Sequence, residues 1–368
     1  MINLDYASHT PVDRRVLDYF LQIEEEFFCN VMSAHSGGRL ARAKMDEVTA
    51  GIAELIGAKP EEIIFTSGAS EANNLAIKGL YKAYSHVGKH VLSTCLEHPS
   101  VSGTLAALPG AEIELLKILP NGLIDLEQLK SAIRPDTVLL CISAVDSELG
   151  VIQPLKEISA IMKAHPNCHL HVDAAQAVGK IPVELHGAST FCFTAHKFYG
   201  LCGVGVLVKR EGVILEPIIH GGKSTTIYRS GTPALSLAAS CYYALKIAME
   251  AQAERVKHVQ SIKEYVLDAI KGKPFIAVNT PAENASPYIL NLSVKGMRGM
   301  DFQAALDSRG ILVSTKSACS TDRAPSRPVM AITGNKNRAL NSWRVSFSHL
   351  TTFEDVEAFV QVCKELTQ

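Results

Sequence analysis

Short apolar runs alternate with helical patterns through the first two-thirds of the chain, and few architectures accept that order. "EEIIFTS" (61–67) leads into a helix starting near Glu71, and "HVLSTC" (90–95) precedes a helix from Ser100. "TVLLCISAV" (137–145), "HLHVDAA" (169–175), "STFCFTA" (189–195) and "GVGVLVKR" (203–210) read as strands buried on both faces. Strands of this kind, separated by helices, build a mainly parallel sheet sandwiched between helical layers. After Pro233 the pattern changes. "ALSLAASCYYALKIAMEAQAERVKHVQSIKEYVLDAI" reads as helix throughout, longer than most globular helices. "YILNLSVKG", a helix near 300–308, "GILVST", "SWRVSFS" and a helix from Phe353 then form a small α+β unit. The predicted organisation is α/β: an N-terminal arm (1–12), a large domain (13–250) and a small C-terminal α+β domain (251–368).

Composition removes several classes. With 368 residues and 47% hydrophobic residues the chain can bury one large core and a smaller one. A formal net charge of −1 provides no overall basic field for nucleic acid or an anionic membrane. The nine cysteines are odd in number, sit mostly in apolar segments and form no CxxC pair, so neither a disulfide framework nor a structural metal is expected. The start, "MINLDYASHTPVD", has no basic stretch leading into an apolar one, and no run approaches membrane-spanning length. A cytoplasmic setting is the expectation.

Three local patterns carry chemistry. In "FTAHKFYG" (193–200) a buried strand ends in a His-Lys pair. A lysine seldom ends a core strand unless it is paired or used. Burial lowers the pKa of its amine, and a neutral amine condenses with aldehydes; for Lys197 alone, a strand-end lysine reaching solvent explains the position equally well. "HVDAAQAVG" (171–179) places Asp173 at the end of the preceding strand, where it could pair with a protonated pyridine nitrogen or simply cap a helix. "FTSGASEANN" (65–74) sets Gly68, Ala69 and Ser70 between strand and helix, where free N–H groups and a hydroxyl can hold a phosphate. A phosphate cradle, an acidic partner for a ring nitrogen and a lysine for an aldehyde together describe pyridoxal 5′-phosphate. A fourth pattern, "VSTKSACSTD" (313–322), places Cys319 among small polar residues in what reads as a mobile loop, a setting for a reactive thiol rather than a packing one.

These segments make a longer resemblance plain. "LDYASHTPVD", "TSGASEANNLAIKG", "EHPSV", "ELGVIQP", "HVDAAQAVGK", "AHKFYGLCGVGVL", "RSGT", "STKSACS" and "RVSFSHLTT" occur in the order found in cysteine desulfurases of the NifS/IscS type. The chain resembles that group, within the class V aminotransferases and the fold-type-I pyridoxal-phosphate enzymes, nearly end to end. The resemblance implies a seven-stranded, mainly parallel sheet in the large domain. It makes Lys197 the lysine that binds the cofactor and Asp173 the partner of its pyridine nitrogen. It assigns Gln176 to the phenolic oxygen, and Ala69, Ser70, Thr194 and His196 to the phosphate, with Thr232 from a second subunit. His98 would stack on the ring and move protons, against the plainer role of a helix cap. Arg344 would take the substrate carboxylate, since its planar fork suits bidentate pairing. Cys319 would take sulfur from L-cysteine as a persulfide, with alanine released, and pass it to an acceptor protein (an iron–sulfur scaffold or a tRNA-thiolation enzyme). The implied assembly is a homodimer.

The sequence also departs from the group. Asp146 in "AVDSELG" stands where an Asn is usual near the phenolic oxygen; as a cofactor-binding candidate it is expected to be protonated, turned away or solvated. Ser224, Thr225 and Thr226 stand where Gln, Glu and Arg are common, Lys316 replaces a usual Gly, and His349 a frequent Arg. Two rival readings follow: a selenocysteine lyase or other class V enzyme, and a non-catalytic homologue that docks sulfur-carrier proteins.

Overall fold

The computed structural model describes residues 1–315 and 324–367. Cys319 and Lys316 lie outside the described residues. Among the described residues twelve strands are formed: β1 (Ile2–Asn3), β2 (Ile63–Thr66), β3 (His90–Ser93), β4 (Glu112–Leu115), β5 (Thr137–Ser143), β6 (His169–Asp173), β7 (Thr190–Thr194), β8 (Gly205–Lys209), β9 (Ile276–Val278), β10 (Ile289–Val294), β11 (Ile311–Leu312) and β12 (Ser342–Ser346). Seven of them make one sheet in the order β2-β8-β7-β6-β5-β3-β4. β8 pairs antiparallel with both β7 and β2, and the remaining pairs are parallel. The mainly parallel seven-stranded sheet is therefore as expected.

Alternation along the strands explains why both faces are covered. Leu140, Ile142, Phe191 and Phe193 point into one buried cluster, whereas Leu139, Cys141 and Cys192 point into another on the opposite face. The helix Ala69–Tyr84 packs over the second face, while the helices Arg14–Glu26 and Ser36–Ile56 pack with Leu235–Glu250. Phe191 and Phe193 are fully buried, so truncating either to Ala removes about 3–5 kcal/mol of stability.

The long helical pattern after Pro233 divides into Leu235–Glu250 and Gln252–Ile270, with a turn at Ala251 (φ −94°, ψ 2°). The two halves serve different neighbours: the first packs on Arg14–Glu26 and Ser36–Ile56, the second on Phe353–Leu366. β4 was not read from the sequence. It is an edge strand with three of its four residues exposed, so it lacks the apolar run that marked the others.

Beyond the large sheet, β12-β10-β9 form an antiparallel sheet. β1 pairs in parallel with β11, Ile2 opposite Ile311, and Asp5 bridges to Ser346. The first residues thus thread along the C-terminal strands and deliver residues 5–8 to the carboxyl edge of the large sheet.

Candidate active site

β2, β3, β5, β6 and β7 all end at the same sheet edge, and a cavity of about 360 Å³ opens there. In an open α/β sheet, ligands bind at that edge. Lys197, Asp173, His98, Gln176, Thr194, His196, Ala69, Ser70 and Arg344, all singled out in the sequence, line this one cavity.

Lys197 lies in the single helical turn that follows β7. Its Nζ donates to the carbonyls of Ala7 (2.8 Å) and Ser8 (2.6 Å). Two carbonyls do not stabilise the cation as a carboxylate would, and burial brings its pKa down to about 8, helped by Arg344 and opposed by Asp173. Gln176 donates from Nε2 to the same Ala7 carbonyl (2.9 Å), while its Oε1 accepts from buried Lys180 (2.8 Å). Lys180 fixes which end of that amide faces the cavity.

Asp173 ends β6, and both of its oxygens accept, Oδ1 from Ala175 N–H (3.0 Å) and Oδ2 from Asn73 Nδ2 (2.9 Å). His98 caps the helix Pro99–Ala106 through Nδ1, which accepts from Ser100 N–H (3.1 Å), and its ring lines the cavity. The plain capping role and a place at the site are thus held by one residue. Burial lowers the His98 pKa; Asp173 acts against this and Lys197 with it.

The phosphate-cradle pattern is a helix N-terminus. The N–H groups of its first turn have no intrahelical acceptors, and no side chain caps it at Gly68. Gly68 holds φ 154°, a conformation L-residues rarely adopt, and a Cβ at Gly205 would come within 2.7 Å of the Gly68 backbone. The two glycines keep the turn bare and close to β8. Thr194 donates to the Val204 carbonyl and meets His196 Nδ1 at 3.0 Å.

Arg344, only 2% exposed, projects from β12. Nη1 donates to the Ser147 carbonyl (2.8 Å), and Nη2 to Asp5 Oδ1 (2.8 Å) and Ser8 Oγ (2.7 Å). Nε has no partner. A buried guanidinium N–H without an acceptor is costly, and an incoming carboxylate relieves that cost.

Two assigned residues lie elsewhere. Asp146 is off the wall, which runs instead through Val145 and Ser147. Its Oδ2 accepts from the Glu148 (3.2 Å) and Leu149 N–H groups, so the side chain closes its own turn rather than facing the ligand space. Thr232 lines a separate cavity with Phe20, Phe28 and Cys29. The sequence reading missed Asn73, Lys180, Asp5 and Ser8. It also passed over Cys202, an exposed thiol on the cavity wall whose only signal was its place in "YGLCGVG". Among the described residues no group of three or more His, Cys, Asp or Glu is placed to hold a metal.

Asp146 yields a pH prediction. Its Oδ1 is buried without a partner, and burial beside Glu148 raises its pKa from 3.8 to about 7. The folded chain then keeps a proton that the unfolded chain releases near pH 4. The stability this group contributes is complete below that pH and is lost as the pH rises through about 7. Asp146→Asn removes the dependence while keeping an acceptor for the two N–H groups. Its stability relative to the parent should rise by about 2–3 kcal/mol between pH 5 and pH 8 in urea unfolding. An equal difference at both pH values would contradict the assignment.

The profile of the family described as "Aminotransferase class-V" matches residues 2–359. The chain is 38% identical over 371 residues to "Cysteine desulfurase IscS" of Neisseria gonorrhoeae, an alignment covering 99% of this chain and 91% of that protein. It is 35% identical over 373 residues to "Cysteine desulfurase IscS" of Dictyoglomus turgidum, covering 100% and 94%. A solved structure titled "NifS-like protein" superposes with a TM-score of 0.93 at 30% identity, covering 99% of this chain and 98% of that one. The chain belongs to the class V aminotransferase family, among the cysteine desulfurases of NifS/IscS type. Members of that family work with pyridoxal 5′-phosphate. The residues present fit it: an amine of lowered pKa, an accepting carboxylate at a strand end and a bare helix N-terminus share one cavity.

Proposed function

We propose that this protein is a pyridoxal-phosphate-dependent cysteine desulfurase that converts L-cysteine to L-alanine and leaves the sulfur as a persulfide on Cys319. One observation supports the reading above others: Lys197, Asp173, His98 and Arg344, drawn from distant parts of the chain, line one cavity at the carboxyl edge of the sheet. When bound, the cofactor supplies an electron sink for charge developing on the substrate carbons. Lys197 would hold it covalently, Asp173 would pair with its ring nitrogen, and Gln176, oriented by Lys180, would face its phenolic oxygen. Ala69, Ser70, Thr194 and His196 would hold its phosphate. Thr232, which lines a separate cavity of the same chain, would serve the site of a second subunit in a homodimer.

The chain's own residues then divide the work. Arg344 binds the substrate carboxylate, using the N–H that lacks an acceptor and a fork already pinned by Asp5 and Ser147. Lys197, with a pKa of about 8, is partly neutral at physiological pH and can both take and return a proton at the substrate α-carbon. The Cys319 thiolate attacks the substrate sulfur: an S–S bond forms, the substrate C–S bond breaks, and its electron pair stays with the carbon skeleton. Two protons complete alanine at the carbons, and the persulfide remains for an acceptor protein (an iron–sulfur scaffold or a tRNA-thiolation enzyme). No helix among the described residues is long and apolar enough to cross a membrane; we place the enzyme in the cytoplasm.

The test is direct. Purified chain supplied with the cofactor should acquire a visible absorption band, and with L-cysteine and a thiol reductant should release alanine and sulfide in equal amounts. A chain that binds the cofactor but releases neither product would sink the reading.

A further inference from the structure

Asn73 is fully buried beneath the cavity, and the chemistry of its partners fixes its orientation. A carboxylate only accepts, so the atom facing Asp173 Oδ2 at 2.9 Å is the amide nitrogen. The same Nδ2 gives its second hydrogen to Ser100 Oγ (2.8 Å). Oδ1, on the other side, accepts from His171 Nε2 (2.9 Å) and from the Cys192 thiol (2.9 Å). Ser100 Oγ has therefore received a hydrogen from Asn73 and has one of its own to give. Its remaining neighbour is His98 Nδ1, at 2.8 Å. The Ser100 backbone N–H meets that nitrogen as well, at 3.1 Å. Two donors converge on Nδ1, so the neutral imidazole must carry its hydrogen on Nε2.

We infer that Ser100, wired to Asp173 through Asn73, is a positioning residue that holds the His98 ring with its proton on Nε2. The relay joins two sides of the cavity that the sequence separates widely: a helix cap at His98 and a strand end at Asp173. This inference rests on the reading of His98 as a working member of the site, and it assigns to Ser100 and Asn73 the control of its tautomer. A neutral ring whose Nδ1 lone pair is engaged keeps Nε2 as a hydrogen-bond donor, and it takes up a further proton only at Nδ1, at the expense of the two Ser100 bonds. The Ser100 hydroxyl bonds to a lone pair that exists only while Nδ1 is unprotonated, so it favours the neutral ring and lowers its titration midpoint.

The charged surroundings do not depend on Ser100. Asp173 and Lys197 act on His98 with opposite sign. Glu97, the preceding residue, is bonded to Thr94 and Ser143. Glu71 on the facing helix is paired with Arg229, Arg344 with Asp5, and Arg327 reaches Ser102 on the helix that His98 caps.

The experiment uses the full chain with its histidines labelled in ¹⁵N, the His98 signals being identified by their loss in His98→Gln. The parent should show the Nε2-protonated pattern through neutral pH. Ser100→Ala, in which only the backbone N–H remains, should raise the His98 midpoint by roughly half a unit to one unit. Ser100→Thr, which restores a hydroxyl, should return it. The acid limb of kcat/KM for cysteine should move with the midpoint and be rescued by the same Thr variant. A folded Ser100→Ala chain with an unmoved midpoint, or a parent protonated on Nδ1, overturns the relay. If the parent turns over no cysteine, the functional reading fails while the ring titration still decides the relay. If cysteine is turned over and the midpoint does not respond to Ser100, the relay alone fails.

Discussion

Lys197→Ala should leave a folded chain that retains no visible band after excess cofactor is removed and that turns over L-cysteine at least about 10³-fold more slowly. The size of the effect follows from position. The Lys197 amine is on the cavity wall with a pKa brought down to about 8, and it would supply both the covalent hold on the cofactor and the proton transfer at the substrate. Lys180 cannot replace it, because its Nζ is committed to Gln176 and it does not line the cavity. The structural cost is smaller. Removing the amine costs the Ser8 carbonyl its donor, at about 1–3 kcal/mol if it stays dry, while the Ala7 carbonyl keeps Gln176 Nε2, and a chain of this size can absorb the loss. Circular dichroism and gel filtration of the variant separate the two effects. Turnover near the parental rate in a well-folded variant would remove Lys197 from the chemistry.

Cys319→Ser should act at the other end of the reaction. The variant should keep the visible band, and L-cysteine should still perturb it, because Lys197, Asp173 and Arg344 are untouched. Sulfide and alanine release should fall to background, since a serine hydroxyl is not an effective nucleophile toward sulfur and is scarcely ionised at neutral pH, whereas a thiol is. Sustained sulfide release from this variant would show that another group takes the sulfur. Cys202, the exposed thiol on the cavity wall, would be the first to examine.

Much of the site was legible because its residues sit at the ends of strands whose apolar runs are conspicuous. Asp173 closes "HLHVD" and Lys197 follows "TFCFT", so locating the strands located the carboxyl edge. The residues that were missed act through contacts between distant parts of the chain. Asp5 reaches Arg344 because β1 pairs with β11 about three hundred positions away, and no local pattern announces that pairing. Asn73 lies on a helix whose apolar periodicity is clear, but its polar partners arrive from β6, β7 and the His98 cap. Lys180 reads as a surface lysine after a glycine and becomes a buried donor only once Gln176 is set above it. Asp146 shows what a sequence position leaves open. Its alignment with a ring-binding position was visible in the sequence, but its carboxylate is drawn to its own turn, where two backbone N–H groups converge.

The central claim is that sulfur leaves L-cysteine and is caught by the chain itself as alanine departs. The most direct measurement is a single turnover without reductant, with L-cysteine equimolar to the cofactor-loaded chain, followed by intact and peptide mass spectrometry and by alanine quantification. Close to one alanine per chain is expected, with a mass increase of one sulfur atom on the peptide containing Cys319 that a thiol reductant reverses. Alanine formed in that amount with no sulfur on the Cys319 peptide, or cysteine consumed without alanine, would contradict the claim.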